Sequence, residues 1–324
     1  MLPLVGRASN LGDMSENTEF DVVVIGGSAA GLSAALVLTR ARRKVAVVDD
    51  GRPRNTPAAR MQGFLSRDGM PPSELVAAGR AEVEGYGGML LSAEVAAVKP
   101  SGSGFEVRLA SDAVLKTRRL LVATGLRDEI PDVPGVAERW GRDLLHCPYC
   151  HGYEVRDQPL GVLGRGPETV QHALIVRQWS PDVVLFTHGG EVSEGEREQL
   201  GARGIEIDER AVTRLVVEDD ALRGVEVEGG ELIERSAVFV RPRLVPRNDL
   251  LLSLGCETDD AGWPRADSTG RTTLPGVWVA GNVSNPRAQV ITAAGEGSSA
   301  AIAINNDLVD DDVRRALTHE GATT

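Results

Sequence analysis

Two cysteines three residues apart are the residues of this chain best suited to chemistry. Cys147 and Cys150 lie in the segment His146-Cys-Pro-Tyr-Cys-His151-Gly-Tyr. Cysteines at this spacing can close a small disulfide, and in the reduced pair one thiolate is stabilised by its neighbours. Histidine titrates near neutral pH, so His146 and His151 are candidates to move thiol protons. The segment predicts thiol–disulfide redox chemistry with these four residues in catalytic roles.

A zinc site and a pair of unreactive core thiols are the other uses of such a cysteine pair. Zinc needs two further ligands, normally a second Cys or His pair. The third cysteine, Cys256, is isolated in Leu-Gly-Cys-Glu and is expected to be a small buried apolar side chain. We therefore predict no metal site.

A glycine-rich turn follows the first predicted strand. The apolar run Asp21–Ile25 predicts a buried strand, and Gly26-Gly-Ser-Ala-Ala-Gly31 opens a helical pattern. Glycines in this context let backbone N–H groups and the helix dipole hold a pyrophosphate. Asp49 ends the next strand, 23 residues after Gly26, where a carboxylate can bind a ribose. The turn predicts a dinucleotide site, although Ser28 stands where the fingerprint has its middle glycine.

A second strand-turn-helix-strand pattern occurs later in the chain. Leu160–Leu163 leads into the turn Gly164–Thr169, a helix follows, and Val183–Phe186 is a further strand. A last strand at residues 276–280 and an alanine-rich helix from Gln289 to about residue 308 predict a return to the first domain. The predicted fold is therefore α/β, with two Rossmann-like three-layer nucleotide-binding domains. Their predicted bounds are 19–126 plus 244–324 for the first and 127–243 for the inserted second, after a disordered tail at 1–18.

Composition excludes several classes of function. Among 324 residues, 35 Lys and Arg stand against 47 Asp and Glu, a net charge of −12, without any long basic run. Nucleic acid is therefore not expected as a partner, because binding its phosphates needs a positive face. No stretch reaches the roughly 18 apolar residues that a membrane span requires. The N-terminal residues lack the apolar core of a signal peptide, so a cytoplasmic protein is expected.

From Asp21 to about Asp310 the chain resembles the low-molecular-weight thioredoxin reductases. The likeness rests on both glycine-rich turns, the cysteine pair between them, Ala123-Thr-Gly125, and Gly276-Val-Trp-Val-Ala-Gly-Asn282 with the helix that follows. It implies a homodimer with FAD in the first domain, Cys150 against the flavin and Cys147 toward the substrate. The FAD-binding residues that it implies are Gly26, Ser28, Ala29, Ala30, Gly31, Asp49, Asp50, Arg54, Asn55, Val95, Ala123, Thr124, Gly125, Gly281, Asn282, Gln289 and Val290.

Departures from the family pattern indicate which branch the chain resembles. The inserted domain lacks the arginines that bind the NADPH 2′-phosphate, having Thr187-His-Gly-Gly190 there. Pro167 removes a backbone donor from the second turn, and Glu168 puts a carboxylate where a pyrophosphate would bind. An inserted domain that has lost its nucleotide, together with Cys-Pro-Tyr-Cys-His, resembles the dithiol oxidases of disulfide natural products such as the holomycin and gliotoxin enzymes.

This resemblance implies oxidation of a small-molecule dithiol to a cyclic disulfide, with O2 as the final acceptor and hydrogen peroxide as its product. His151 would accept the substrate thiol protons, with His146 assisting. Two alternatives stay open: a thioredoxin reductase-like enzyme that uses NADH, ferredoxin or another donor, and a flavin-dependent redox sensor without turnover. Two milder departures are Asn282 and His151, each of which stands where the family usually has an acid.

The assignment of Asp49 predicts a loss of cofactor on mutation. Asp49→Ala is expected to weaken FAD retention, because charge-assisted hydrogen bonds to a ribose are worth about 1.5–3 kcal/mol each. The ratio of flavin to protein absorbance after gel filtration measures this. Full FAD occupancy in the variant would count against the assignment.

Overall fold

The computed structural model describes residues 19–320. Its strands are β1 (Glu19–Ile25), β2 (Val45–Asp49), β3 (Met89–Ser92), β4 (Val95–Ser101), β5 (Gly104–Leu109), β6 (Val114–Val122), β7 (Leu126–Glu129), β8 (Leu144–Leu145), β9 (Leu160–Leu163), β10 (Val183–Phe186), β11 (Glu206–Asp208), β12 (Val212–Glu218), β13 (Ala221–Val227), β14 (Leu232–Glu234), β15 (Ala237–Val240), β16 (Arg243–Pro246) and β17 (Val277–Val279). Its helices are α1 (Ala29–Arg40), α2 (Pro72–Gly85), α3 (Val136–Arg139), α4 (Pro148–His151), α5 (Pro167–Val176), α6 (Glu194–Ala202), α7 (Asp249–Ser253) and α8 (Val290–Glu320). The predicted tail at 1–18 lies outside the described residues.

The described chain divides into two compact units. The first comprises residues 19–56, 71–127 and 246–320, and the second comprises 57–70 and 128–245. The sequence had placed 57–70 in the first domain, so the structure differs there. That segment contains no helix or strand and is tied within the second unit, where Gln62 Nε2 donates to Glu154 Oε1 at 3.0 Å and Met61 is buried. Long-range contacts of this kind leave no local pattern in the sequence.

The first unit is built on a sheet whose central strands are parallel. The order is β3-β2-β1-β6-β5-β4, and β17 also pairs with β6. The antiparallel pairs are β4 with β5 and β5 with β6. Val22 and Val24 of β1 pack with residues of α1 and α8, while Val23 and Ile25 pack with residues of β4, β5 and α7. Because both faces are buried, the strand is apolar throughout.

The parallel strands of the first unit end at one edge of the sheet. Ile25 is in register with Val48 of β2 and with Val122 of β6, and Val122 is in register with Val279 of β17. The residues that follow these strands therefore come together, as is usual at the ligand-binding edge of a parallel sheet. This edge contains the first glycine-rich turn.

The second unit repeats the same layering. Its sheet is parallel throughout, in the order β11-β10-β9-β15-β8. Residues of α5 and α6 cover one face, and the antiparallel meander β12-β13-β14 covers the other. Both units are thus three-layer α/β structures, which confirms the predicted fold class. Over residues 19–320 no helix is both long and apolar enough to cross a membrane.

The last helix continues twelve residues beyond the predicted end at about residue 308, to Glu320. Aspartates on this extension pair with arginines of the sheet. Arg118, with its side chain 11% exposed, contacts Asp21 at 2.9 Å, Asp311 at 2.7 Å and Asp312 at 2.5 Å. Burial opposes the charges of Asp311 and Asp312, yet the arginines around them lower the pKa of both carboxyl groups. Ion pairing therefore stabilises a polar stretch whose helical end the sequence pattern did not indicate.

Arg118→Met is expected to lower the free energy of unfolding by about 1.5–3 kcal/mol, because it removes the arginine that Asp21, Asp311 and Asp312 share. Asp311 keeps its pair with Arg315 and Asp312 keeps its pair with Arg43, which limits the loss. Arg108→Met is the matched control. Arg108 contacts Asp112 at 3.5 Å with both side chains exposed, and such a pair is worth about 1 kcal/mol or less. Urea denaturation followed by circular dichroism measures both variants, and equal losses would contradict the prediction.

The stability difference between Arg118→Met and the wild type is also expected to depend on pH. A carboxyl group whose pKa is lower in the folded chain stabilises the fold above its unfolded pKa, about 3.9 for aspartate. This contribution is lost as the pH falls through the folded value. The difference should thus be full at pH 6 and shrink steadily below about pH 4.

Candidate active site

The redox segment of the second unit is one short helical turn. Cys147 is the N-cap of α4 and is joined to Cys150 by a disulfide, with their Cα atoms 5.3 Å apart. The Cys150 backbone N–H donates to Cys147 Sγ at 3.2 Å. After reduction the same N–H would stabilise a thiolate on Cys147. The geometry therefore favours Cys147 as the sulfur that exchanges with a substrate.

Trp179 fixes one side of this turn. Its ring lies edge-on to Tyr149, with centroids 5.5 Å apart, and its carbonyl oxygen accepts from the Asp157 N–H at 2.8 Å. An added Cβ on Gly152 would lie 2.7 Å from the Trp179 ring and 2.6 Å from the Pro148 carbonyl oxygen. The glycine after His151 is therefore required by close packing, a reason that the sequence did not show.

His146 lies at the other side of the redox segment, directly before Cys147. Its imidazole stacks on the Trp140 ring, with centroids 5.5 Å apart and planes 24° apart. The sequence suggested His146 as a proton carrier but gave no indication of Trp140. Each end of the redox turn thus has a tryptophan beside it.

His151 ends α4 and is half-buried. Burial lowers the pKa of His151, and the negative charge of Glu154 opposes that shift. A histidine with a lowered pKa is neutral at pH 7 and can accept a proton. The geometry of Glu154 is set by Gln62, which donates to its carboxylate. His151 therefore has the protonation state that a base for a thiol requires.

The first glycine-rich turn has no room for side chains at its glycine positions. An added Cβ on Gly26, where φ is +105°, would lie 2.4 Å from the Ala123 carbonyl oxygen, and one on Gly31 would lie 1.8 Å from the Gly26 carbonyl oxygen. Ser28 is the N-cap of α1, and its side chain makes no capping hydrogen bond. Ser28 therefore leaves the first N–H groups of α1 without a side-chain cap. A pyrophosphate site requires such N–H groups.

Asp49 lies against this turn. An added Cβ on Gly27 would be 2.4 Å from Asp49 Oδ2, and Asp49 Oδ1 accepts from the Gly51 N–H at 2.9 Å. The carboxylate of Asp50 instead binds Arg52, whose Nε donates to it at 2.9 Å. Asp49 therefore has the placement expected of a ribose ligand beside the turn.

The C-terminal segment reaches the same edge of the first unit. Gly281 has a φ of +75°, and an added Cβ there would lie only 3.0 Å from Ala30 Cβ. Asn282 Nδ2 donates to the carbonyl oxygens of Asn285 at 2.9 Å and Ala288 at 3.0 Å. These two donations need an amide, which explains why an aspartate, the usual family residue, would not serve here. Gln289 and Val290 follow directly, at the start of α8.

Glu296 was missed by the sequence analysis. Its Oε2 accepts from the Gly281 N–H at 2.8 Å and its Oε1 accepts from Asn285 Nδ2 at 2.6 Å. This carboxylate on α8 holds the segment that precedes the helix. Its spacing of fifteen residues from Gly281 carries no recognisable signal.

The remaining predicted cofactor residues lie at several places in the first unit. Thr124 Oγ1 donates to the Arg247 carbonyl oxygen at 2.6 Å, and the Gly125 carbonyl oxygen accepts from the Arg247 N–H at 2.9 Å. Val95 packs against the core of the first unit. Arg54 and Asn55 lie in the turn after β2, and Ala29 and Ala30 lie in the first turn of α1. Their roles stay predictions.

Taken together, the edge of the first unit fits FAD. It offers a turn whose glycines leave no space for a Cβ, a helix start that Ser28 does not cap, a carboxylate at the end of β2, and a glycine that brings the C-terminal segment close to α1. These are the features that hold a pyrophosphate and a ribose. Gly26, Gly31, Asp49 and Gly281 would bind the cofactor, which would supply two-electron redox chemistry.

Two side chains of the second glycine-rich turn, Arg165 and Glu168, contact other residues of the second unit. Arg165 donates to the His188 carbonyl oxygen through Nε at 3.0 Å and Nη2 at 2.7 Å. Glu168, in the first turn of α5, pairs with Arg241 at 3.1 Å. This pairing offsets part of the repulsion expected from Glu168 alone, a contact the sequence did not reveal. The helix start still presents a carboxylate and a proline.

Other polar groups do not extend the site. Cys256 is buried in the core of the first unit, as predicted, and burial raises the pKa of its thiol. His172 is buried, and burial together with the charge of Arg241 lowers its pKa to about 4. Within the described part of the chain, no three His, Cys, Asp or Glu side chains come together as metal ligands.

The close packing at Gly152 predicts a loss of stability on substitution. Gly152→Ala is expected to cost about 1–3 kcal/mol, because the methyl group overlaps a ring and a carbonyl oxygen. Gly195→Ala is the control, since an added Cβ there meets nothing within 4 Å, and it should gain about 0.5–1 kcal/mol as alanine is the better helix former. Thermal unfolding midpoints measure both, and shifts of the same sign would contradict the packing argument.

Comparisons with known proteins identify the family of this chain. A family model described as pyridine nucleotide-disulphide oxidoreductase matches residues 20–297. Thioredoxin reductase aclD of Aspergillus oryzae is 31% identical over 312 residues, covering 90% of this chain and 98% of that protein. The crystal structure of HlmI is 58% identical with a TM-score of 0.92, covering 94% of this chain and 97% of that one. An oxidoreductase from Agrobacterium tumefaciens is 34% identical with a TM-score of 0.85, covering 90% and 99%.

The family model spans well over half of the chain. The thioredoxin reductase-like members of this family are FAD-binding flavoproteins that act on disulfides or dithiols. The chain belongs to the pyridine nucleotide-disulphide oxidoreductase family, as a thioredoxin reductase-like, FAD-binding disulfide oxidoreductase.

Proposed function

We propose that this enzyme is an FAD-dependent dithiol oxidase that closes a disulfide within a small-molecule dithiol of the holomycin type and uses O2 as the final acceptor. The observation that carries the proposal is the second glycine-rich turn. Its Glu168 carboxylate and Pro167 stand at the start of α5, where a dinucleotide phosphate needs free backbone N–H groups and no negative charge. An enzyme without pyridine nucleotide must take its electrons from the thiols.

The chain's own sulfurs perform the exchange. A substrate thiolate attacks Cys147 Sγ, the Cys147–Cys150 bond breaks, and Cys150 leaves as a thiolate. The second substrate thiolate then attacks the substrate sulfur bound to Cys147, which closes the product disulfide and releases Cys147. The Cys150 N–H, which lies 3.2 Å from Cys147 Sγ, stabilises the charge that Cys147 carries on leaving.

The two histidines that flank the cysteine pair transfer the protons. His151 is kept neutral by burial and accepts the proton of a substrate thiol, with His146 assisting. When bound, FAD would take up the two electrons released as the Cys147–Cys150 disulfide re-forms and pass them to O2, giving hydrogen peroxide. We propose a homodimer as the working form, on the resemblance drawn from the sequence.

A reductase that uses NADH is the second candidate. NADH lacks the 2′-phosphate, so the missing arginines do not argue against it. Arg241 also pairs with Glu168 and so reduces the negative charge at the start of α5. The experiment below separates the two functions by the direction of electron flow.

The purified enzyme is expected to show flavin bleaching when mixed anaerobically with a dithiol, and none on a catalytic timescale with NADPH or NADH. In air, dithiol turnover should consume one O2 and form one hydrogen peroxide for each disulfide made. Stopped-flow absorbance near the flavin maximum and an oxygen electrode measure these. Flavin reduction by NADPH or NADH as fast as dithiol turnover would overturn the oxidase proposal in favour of the reductase.

A further inference from the structure

Trp140 is held rigidly within the second unit. It follows α3, packs against the apolar core beside β8, and forms a β-bridge with Leu144. The next residue, Gly141, donates its N–H to the Leu144 carbonyl oxygen at 2.9 Å, and Arg139 and Asp143 form an ion pair within the same loop. The β-bridge therefore holds the main chain of Trp140, and core packing holds its side chain.

The one ring of the redox segment that faces this tryptophan is His146. The two ring planes differ by 24°, with centroids 5.5 Å apart, so the imidazole and the indole form an offset stack. Trp179, by contrast, meets Tyr149 at 88° and contacts no histidine in a ring pair. Of these two ring pairs, the one that Trp140 makes contains an imidazole, the ring suited to proton transfer near neutral pH.

We propose that Trp140 is a positioning residue that fixes the plane of the His146 imidazole, so that His146 takes the proton of the thiol that attacks Cys147. This inference rests on the proposed thiol–disulfide function of the pair. Rotation of an imidazole about its Cβ–Cγ bond is intrinsically broad. A flat, rigid neighbour restricts it, and a correctly oriented base avoids the entropy cost of finding its geometry in each turnover.

The attack on Cys147 needs no further reactant, because the proton and both electron pairs stay within the site. The substrate S–H bond breaks, its proton moves to an imidazole nitrogen of His146, and its electron pair forms the bond to Cys147 Sγ. The Cys147–Cys150 bond breaks at the same time, and its electron pair leaves with Cys150. His151, which follows Cys150, accepts the proton of the second substrate thiol, so the assisting role of His146 is confined to the first.

The test is a double-mutant cycle read on disulfide exchange. Dithiothreitol reduces the Cys147–Cys150 disulfide anaerobically, the reaction is stopped with a maleimide, and mass spectrometry gives the rate constant. His146→Gln is expected to slow the reaction on the order of a hundredfold, and Trp140→Leu about three- to tenfold, the rate equivalent of one aromatic pair. Trp140→Phe keeps a ring face and should stay within about twofold of the wild type.

The decisive comparison is Trp140→Leu in the His146→Gln background. If Trp140 acts through His146, the added substitution should change the rate by less than about twofold, because the effects of coupled residues do not add. A full three- to tenfold loss in that background, or an equal loss in Trp140→Phe and Trp140→Leu, would overturn the proposal and leave Trp140 a structural residue. Thermal unfolding of each variant shows that the compared proteins are folded.

The same assay separates this inference from the proposed function. Exchange at the disulfide occurs in an oxidase and in a reductase alike, so the cycle reports on Trp140 in either case. The absence of dithiol-dependent oxygen uptake by the wild type would contradict the oxidase proposal, while additive effects in the cycle would contradict the role of Trp140.

Discussion

Gly297 of α8 lies so close to α1 that an added Cβ would stand 2.0 Å from the Ala30 carbonyl oxygen. This backbone-to-backbone packing makes one unit from chain segments that the second unit separates in sequence. It also sets the position of Glu296, one residue earlier, whose carboxylate binds the N–H of Gly281. The edge that fits FAD, with the first glycine-rich turn on one side and Gly281 on the other, therefore depends on a contact that allows no side chain at position 297.

Local patterns predicted most of this fold, because its strands are buried on both faces and its turns need glycine. The strands at 160–163 and 183–186 and the turn at Gly26–Gly31 occur where the sequence placed them. The predicted end of α8 at about residue 308 was wrong, since the helix continues to Glu320 and its aspartates pair with Arg118. Glu296 and Trp140 were missed for a related reason: each contacts its partner, Gly281 or His146, through a tertiary contact that leaves no pattern in the sequence.

The redox segment and the second glycine-rich turn argue for one direction of electron flow from different physical grounds. At the disulfide, burial keeps His151 neutral, which suits it to take protons from thiols. At the start of α5, Glu168 opposes an anionic ligand, and Arg165 turns toward the His188 carbonyl oxygen rather than outward. In the proposed oxidase, the first feature would help thiols to deliver electrons and the second would hinder a nucleotide from doing so. The pairing of Glu168 with Arg241 weakens the second argument without reversing it.

The assignment of residues 57–70 to the second unit has a consequence for how this architecture can be recombined. The chain passes between the units four times rather than twice, at 56/57, 70/71, 127/128 and 245/246. Cutting at 127/128 and 245/246 would therefore not release a complete module. A chimaera that exchanged only residues 128–245 would inherit Glu154 without the Gln62 that binds it. The second unit, which contains the redox segment, is therefore not one continuous stretch of chain. Related chains can exchange it intact only if residues 57–70 and 128–245 are exchanged together.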